Sequence, residues 1–216
     1  MNHKDAKAQR KTWIRLCVLV PLWFAAASSA AETKTLLFFG DSLTAGYGLE
    51  DPTTSAFPAR VQKKVDDSGL PWRVVNAGLS GETSAGGRRR VDWILRQQVD
   101  VFVLELGGND GLRGIPPDAT RANLQAIIDR VRAKYPAARI VLAGMAAPPN
   151  MGTEFTHAFA VIFPELAEKN RIPLIPFLLE GVASRPELNQ ADGIHPNGQG
   201  HAIVAETVWT AVKPLL

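Results

Sequence analysis

Four short segments carry the residue types of a nucleophilic hydrolysis site. Ser42 stands in "GDSL", directly after the apolar run "LLFFG". A serine hydroxyl attacks a carbonyl effectively only when a base takes its proton, a further group orients that base, and N–H donors face the oxyanion that forms. The chain has four histidines. His3 lies in the N-terminal segment, His157 in a helical pattern and His201 in the pattern of the closing helix. His195 lies in the loop "ADGIHPNG", with Asp192 three residues before it. In that spacing one turn can hold both, so that the carboxylate accepts from Nδ1–H and Nε2 is presented to Ser42. Three oxyanion donors are available. The backbone N–H of Ser42, at the start of a helix, is aided by the helix dipole. Gly81 in "LSGET" can bring its N–H close because no side chain intervenes. Asn109 in "GGND" can add its side-chain amide. Each segment taken singly also reads as an ordinary polar turn, so their placement in the fold has to decide.

The elements that must position them alternate between two periods. "TLLFFG" is a continuous apolar run, as in a strand buried on both faces. "AFPARVQKKVDDSG" has helical spacing and ends in glycine. "WRVVNA" is the next strand, "SAGGRRRVDWILRQQV" a helix and "VDVFVLELG" the third strand. "PPDATRANLQAIIDRVRAKYP" is an amphipathic helix with Leu124, Ile127, Ile128 and Val131 on one face and Pro136 as a stop. "ARIVLAGM" is the fourth strand. "FTHAFAVIFPELAEKN" has a helical pattern that Pro164 must bend or divide. "IPLIPF" is a short fifth strand, and "PNGQGHAIVAETVWTAVKPL" closes the chain as a helix. Strands alternating with helices of this length imply a parallel sheet covered on both faces. Ligands of such sheets bind at the carboxyl ends of the strands. The loops there are "GDSLTAGYG", "GLSGETS" and "GGNDGLRG", which hold Ser42, Gly81 and Asn109.

Length and composition fit this reading. The 216 residues are 46% hydrophobic and 21% charged, as in an ordinary globular protein. The formal charge of +3 comes from one end: residues 1–30 carry Lys4, Lys7, Arg10, Lys11 and Arg15 against Asp5, a net of +4, which leaves −1 on residues 31–216. The near-neutral body excludes the electrostatic footprint of a nucleic-acid binder. The basic end is followed by the uncharged run "LCVLVPLWFAAA" and then "SSAA", the layout of a secretory signal cut after Ala30 or Ala31. The expected organisation is therefore a signal peptide over residues 1–31 and one domain over 32–216, in a periplasmic or secreted protein. An uncleaved anchor is the alternative. Cys17 is the sole cysteine, so the mature chain uses neither disulfides nor thiolate chemistry.

The four blocks "GDSL", "NAGLSGET", "GGND" and "DGIHPN", in order across residues 36–200, resemble the SGNH hydrolase superfamily, the GDSL esterases and lipases. The phrases "GDSLTAGYG", "LELGGNDGLRG" and "DGIHPN" resemble its bacterial periplasmic group of thioesterase I, protease I, lysophospholipase L1 and arylesterase. The resemblance implies a three-layer, flavodoxin-like α/β/α fold with a five-stranded parallel sheet. It implies Ser42 as nucleophile, His195 as base and Asp192 as its orienting acid, with Ser42, Gly81 and Asn109 as the oxyanion hole and no metal or other cofactor. In the group the loop after the fourth strand borders the acyl pocket, which makes Met145, Pro148, Pro149 and Asn150 acyl-site candidates. Asp41 and Asp110 read as braces of their loops, and Arg88, Arg89 and Arg90 as a solvated helix face. The alternative elbow G-x-S-x-G is absent.

The expected substrate is a small acyl or aryl ester, a thioester or a lysophospholipid. A carbohydrate acetylesterase of the same superfamily is the second enzyme reading, although Tyr47 is the main aromatic residue near these loops. A periplasmic binding protein without turnover is a third, which would have no need of the Ser42, Asp192 and His195 set. No obligate protein partner is indicated, and the sequence leaves the oligomeric state open.

Overall fold

A computed structural model describes residues 33–216; the secretory signal expected over residues 1–31 lies outside the described residues. β1 (Lys34–Gly40) is the apolar run, with Leu36, Leu37, Phe38 and Phe39 fully buried. The chain continues through the short helices α1 (Ser42–Ala45) and α2 (Pro52–Ser55), then α3 (Phe57–Asp67) and β2 (Trp72–Gly78). α4 (Ser84–Ile94) leads to β3 (Val101–Glu105), and α5 (Gly108–Leu112) with α6 (Pro117–Lys134) to β4 (Arg139–Ala143). α7 (Thr153–Ala160), α8 (Ile162–Asn170), β5 (Leu174–Ile175) and α9 (Gly198–Val212) complete the order.

The five strands are parallel in the order β2-β1-β3-β4-β5. Helices flank the sheet, α3 packing beside α9 and α4 beside α6, which in turn meets α8. This is the expected flavodoxin-like α/β/α arrangement. The strand order reverses between β1 and β3, the point where such sheets open a crevice. The register sets Gly40, the last residue of β1, between Gly78 of β2 and Glu105 of β3. The loops that follow these three residues start side by side.

Departures from the sequence reading have local causes. α4 stops at Ile94 rather than running to Val99. The Tyr135 hydroxyl takes the freed carbonyls of Leu95 and Gln97, at 3.0 and 2.7 Å. The helix over 155–170 divides at Val161, and Pro164 then sits in the first turn of α8. Its missing N–H costs nothing there, whereas in a continuous helix its ring would strike the Ala160 carbonyl. β5 is two residues long because Pro173 and Pro176 flank it. Leu142 in β4 and Gly144 just after it donate to the Pro173 and Ile175 carbonyls, but the prolines have no N–H to donate to a ladder.

Candidate active site

The nucleophile turn is built by a glycine and an aspartate. A Cβ on Gly40 would overlap the side chains of Thr44 and Glu105, so only glycine lets α1 fold directly onto the end of β1. Asp41 caps α1 by accepting from the Leu43 N–H at 3.0 Å. Ser42 follows as the first helical residue and is 8% exposed. Its N–H belongs to the first turn of α1, where no intrahelical acceptor exists.

His195 Nε2 lies 2.9 Å from the Ser42 Oγ, and His195 Nδ1 lies 2.7 Å from Asp192 Oδ2. A carboxylate only accepts, so the imidazole proton resides on Nδ1 and Nε2 accepts from the serine. Asp192 Oδ1 accepts from the backbone N–H groups of Ile194 and His195 at 2.9 and 3.0 Å. Partial desolvation opposes ionisation of Asp192, but these backbone bonds, the ring bond and the nearby imidazole together hold it down at about 2. It is a carboxylate throughout the neutral range.

Few contacts join the base loop to the nucleophile loop. Gln190 Nε2 donates to the Tyr47 carbonyl at 2.6 Å and to the Pro196 carbonyl at 3.1 Å, and the Gln190 N–H donates to the His195 carbonyl at 2.8 Å. Gly48, at φ +74°, leaves room for the Gln190 side chain, which any Cβ there would strike. The Tyr47 ring packs on the His195 ring with centroids 4.8 Å apart. Asn189 anchors the loop from behind through Nδ2, which donates to the carbonyls of Val182 and Arg185. The sequence reading missed Gln190; the glycine at position 48 was the available signal.

Gly81 is exposed at φ +78° in the turn after β2, a left-handed conformation that favours glycine. Arg113 Nη2 braces that turn by donating to the Gly81 carbonyl at 3.0 Å. Beneath it Arg90 departs from the solvated face expected of Arg88–Arg90. Arg88 and Arg89 are exposed, but Arg90 pairs with buried Glu82, donates to the carbonyls of Gly40 and Ala77 and lies over the Phe39 ring. It thus ties the ends of β1 and β2 to the residue after Gly81. Asn109, in the first turn of α5, donates through Nδ2 to Asp41 Oδ2 and to the Glu82 carbonyl, both at 3.0 Å. All three loops are therefore cross-linked. Asp110 braces its loop as expected, accepting from the Ser84 N–H at 2.8 Å and from the Ser84 and Thr120 hydroxyls.

A pair of acids lies under the nucleophile. Glu105 is wholly buried; its Oε2 accepts from the Asp41 N–H at 3.1 Å and the Thr44 hydroxyl at 2.6 Å. Burial, reinforced by Asp41, pushes the Glu105 carboxyl well above the usual range. Burial also raises Asp41, to about 6, against the hydrogen bonds from Leu43 and Asn109. As close neighbours under the nucleophile, the two carboxyls disfavour each other's ionisation.

Residues 38–203 match the model of the GDSL-like lipase/acylhydrolase family. The chain belongs to this family. It is similar to the esterase TesA of Pseudomonas aeruginosa, 41% identical over 187 residues that span 86% of this chain and 91% of the relative. It is also similar to the thioesterase 1/protease 1/lysophospholipase L1 of Escherichia coli K12, 39% identical over 188 residues, 87% of each chain. The crystal structure of TesA superposes with a TM-score of 0.80 at 41% identity, covering 85% of this chain and all of that one.

In this GDSL-family member a cleft of about 400 Å³ opens beside Ser42, Asn109 and His195. Met145, Pro148 and Pro149 form part of its wall as expected. Asn150 does not: it lies in the 3₁₀ turn Pro149–Met151, which carries it to the exposed surface. Further apolar lining, which the sequence reading does not include, comes from Leu112, Phe177, Leu179 and Ile194 in three separate segments. Leu112 and Ile194 lie within the quoted blocks "GGNDGLRG" and "DGIHPN", whereas Phe177 and Leu179 follow β5 and lie in no motif.

Proposed function

We propose that the protein hydrolyses carboxylic esters through an acyl-enzyme on Ser42. One observation carries this: the continuous hydrogen-bonded chain Ser42 Oγ–His195–Asp192, at 2.9 and 2.7 Å, at the mouth of an apolar cleft. As the Ser42 Oγ bonds to the carbonyl carbon, His195 Nε2 takes its proton, and the Asp192 carboxylate stabilises the imidazolium. In this reading the N–H groups of Ser42 and Gly81 and the Asn109 amide serve as the oxyanion donors. Asn109 Nδ2 is engaged by Asp41 and by the Glu82 carbonyl in the resting site, so the oxyanion competes with these two acceptors for that donor. His195 then gives the proton to the leaving oxygen or sulfur as its bond to carbon breaks. Water, deprotonated by the same imidazole, attacks the acyl carbon, and Ser42 leaves with the proton restored.

The apolar walls suit the acyl part of an ester, thioester or lysophospholipid. A cleft of about 400 Å³ is larger than an acetyl group needs, which disfavours the carbohydrate acetylesterase reading. The basic segment followed by an uncharged run supports a signal over residues 1–31, a mature domain over 32–216 and a periplasmic or secreted location. Among the described residues no helix is long and apolar enough to cross a membrane. The reading is tested with p-nitrophenyl butyrate: the protein turns it over, and Ser42→Ala ends turnover with an unchanged circular dichroism spectrum and Tm. Substantial turnover by a folded Ser42→Ala overturns it.

A further inference from the structure

We propose that Tyr47 is the platform of the leaving-group subsite and gives the enzyme a preference for aryl over alkyl leaving groups. This deepens the acyl-enzyme reading of Ser42 and rests on it. An ester whose carbonyl carbon meets the Ser42 Oγ and whose acyl chain fills the cleft must send its other substituent out of the cleft. That substituent passes His195, because Nε2 hands its proton to the leaving oxygen. The ring packed against His195 is Tyr47, at a centroid distance of 4.8 Å and an interplanar angle of 49°. Tyr47 is not part of the cleft wall. It is 53% exposed, so much of its surface is uncovered beside the point where the leaving group departs.

The turn that presents this ring is held in place. The Tyr47 N–H donates to the Ser42 carbonyl at 3.0 Å and its carbonyl accepts from Gln190 at 2.6 Å. Gly46 and Gly48 flank it at φ +75° and +74°, conformations that make the tight turn possible. A fixed, half-exposed aromatic ring binds a second ring by offset stacking or edge contact at little entropic cost. A linear alkyl group gains less from the same surface. When the bond from the acyl carbon to the leaving oxygen breaks, that oxygen takes the bonding pair and the Nε2 proton, and a neutral phenol departs across Tyr47.

The test compares phenyl butyrate with butyl butyrate in the wild type, Tyr47→Phe and Tyr47→Leu. Each variant is measured against the wild type on the same ester, which cancels the intrinsic reactivity of the two leaving groups. Tyr47→Leu is expected to lower kcat/KM for the phenyl ester about five- to tenfold, mainly through KM. For the butyl ester the change stays below about twofold, and Tyr47→Phe keeps the phenyl ester within about twofold of wild type. An equal fall in kcat on both esters overturns the proposal, because Tyr47 would then serve only to position His195. No change on either ester also overturns it. Absence of wild-type activity on both esters defeats the acyl-enzyme reading itself, and this proposal with it.

Discussion

The two halves of the catalytic chain are held by different means. Ser42 sits on the end of a central strand, over wholly buried Glu105 and nearly buried Asp41, and the backbone of its turn is hydrogen-bonded into the core. Asp192 and His195 sit on a surface loop that the Gln190 side chain ties to the nucleophile loop. The sheet places the nucleophile, and side-chain bonds between loops place the base. Damage to the buried support beneath Ser42 should therefore appear as lost stability, and damage to the base loop as lost turnover in a protein that still folds.

The largest effect expected within this contrast is at Asp192. Asp192→Asn should lower kcat by on the order of 10³–10⁴ with little change in Tm, because the amide favours the wrong imidazole tautomer. A folded variant with near-normal kcat would remove Asp192 from its role. Asn109→Ala should lower kcat by roughly 10²–10³ if its amide meets the oxyanion; kcat unchanged, measured under saturating p-nitrophenyl butyrate, would exclude that.

The contrast itself is sharpened by a pair of variants. Gln190→Ala should lower kcat about tenfold while stability changes by less than about 1 kcal/mol. Glu105→Leu leaves the Asp41 N–H and the Thr44 hydroxyl unpaired in the core and should cost on the order of 2–4 kcal/mol in urea unfolding. Glu105→Gln keeps an acceptor for both and should stay close to wild type. If Gln190→Ala proves the more destabilising of the two disruptive variants, the division between the regions is wrong.

An effect on stability alone concerns the helix that follows the base loop. His201 in α9 is buried, and its Nδ1 accepts from the Phe57 N–H at 3.2 Å, pinning α9 to α3. Burial first, and then the Arg60 charge, depress it from 6.5 to about 4. The unfolded chain therefore binds a proton that the native state refuses between these values. The stabilisation is complete above about pH 6.5 and is lost as pH falls toward 4, by on the order of 3 kcal/mol. Urea midpoints of the wild type should fall more steeply over this range than those of His201→Gln; equal slopes would contradict the assignment.

The sequence made the strand ends and their motifs legible for a physical reason. The residues of the proposed chemistry are, or stand beside, those that let the backbone turn: Gly40 before Ser42, Gly81 itself at positive φ, and Gly107 at positive φ before Asn109. Arg90 was misread because its neighbours in "RRR" are solvated. Only the tertiary fold shows that it reaches back to Glu82 and the ends of β1 and β2. The cleft wall formed by Leu112, Phe177, Leu179 and Ile194 was hidden for a similar reason. Its members come from three segments of the chain, and as apolar residues none of them announces a role in the cleft. Asn150 was assigned to the cleft by its place in the loop, but a 3₁₀ turn carries it outward.

The central claim is that the acyl group passes through Ser42. Mixing the enzyme with excess p-nitrophenyl butyrate, quenching with acid within the first turnovers and mapping peptides by mass spectrometry tests it most directly. The account predicts a butyryl group on the peptide containing Ser42, and on that residue, at a level that decays as substrate is exhausted. A butyryl group on another residue that forms and decays at the rate of turnover would contradict it.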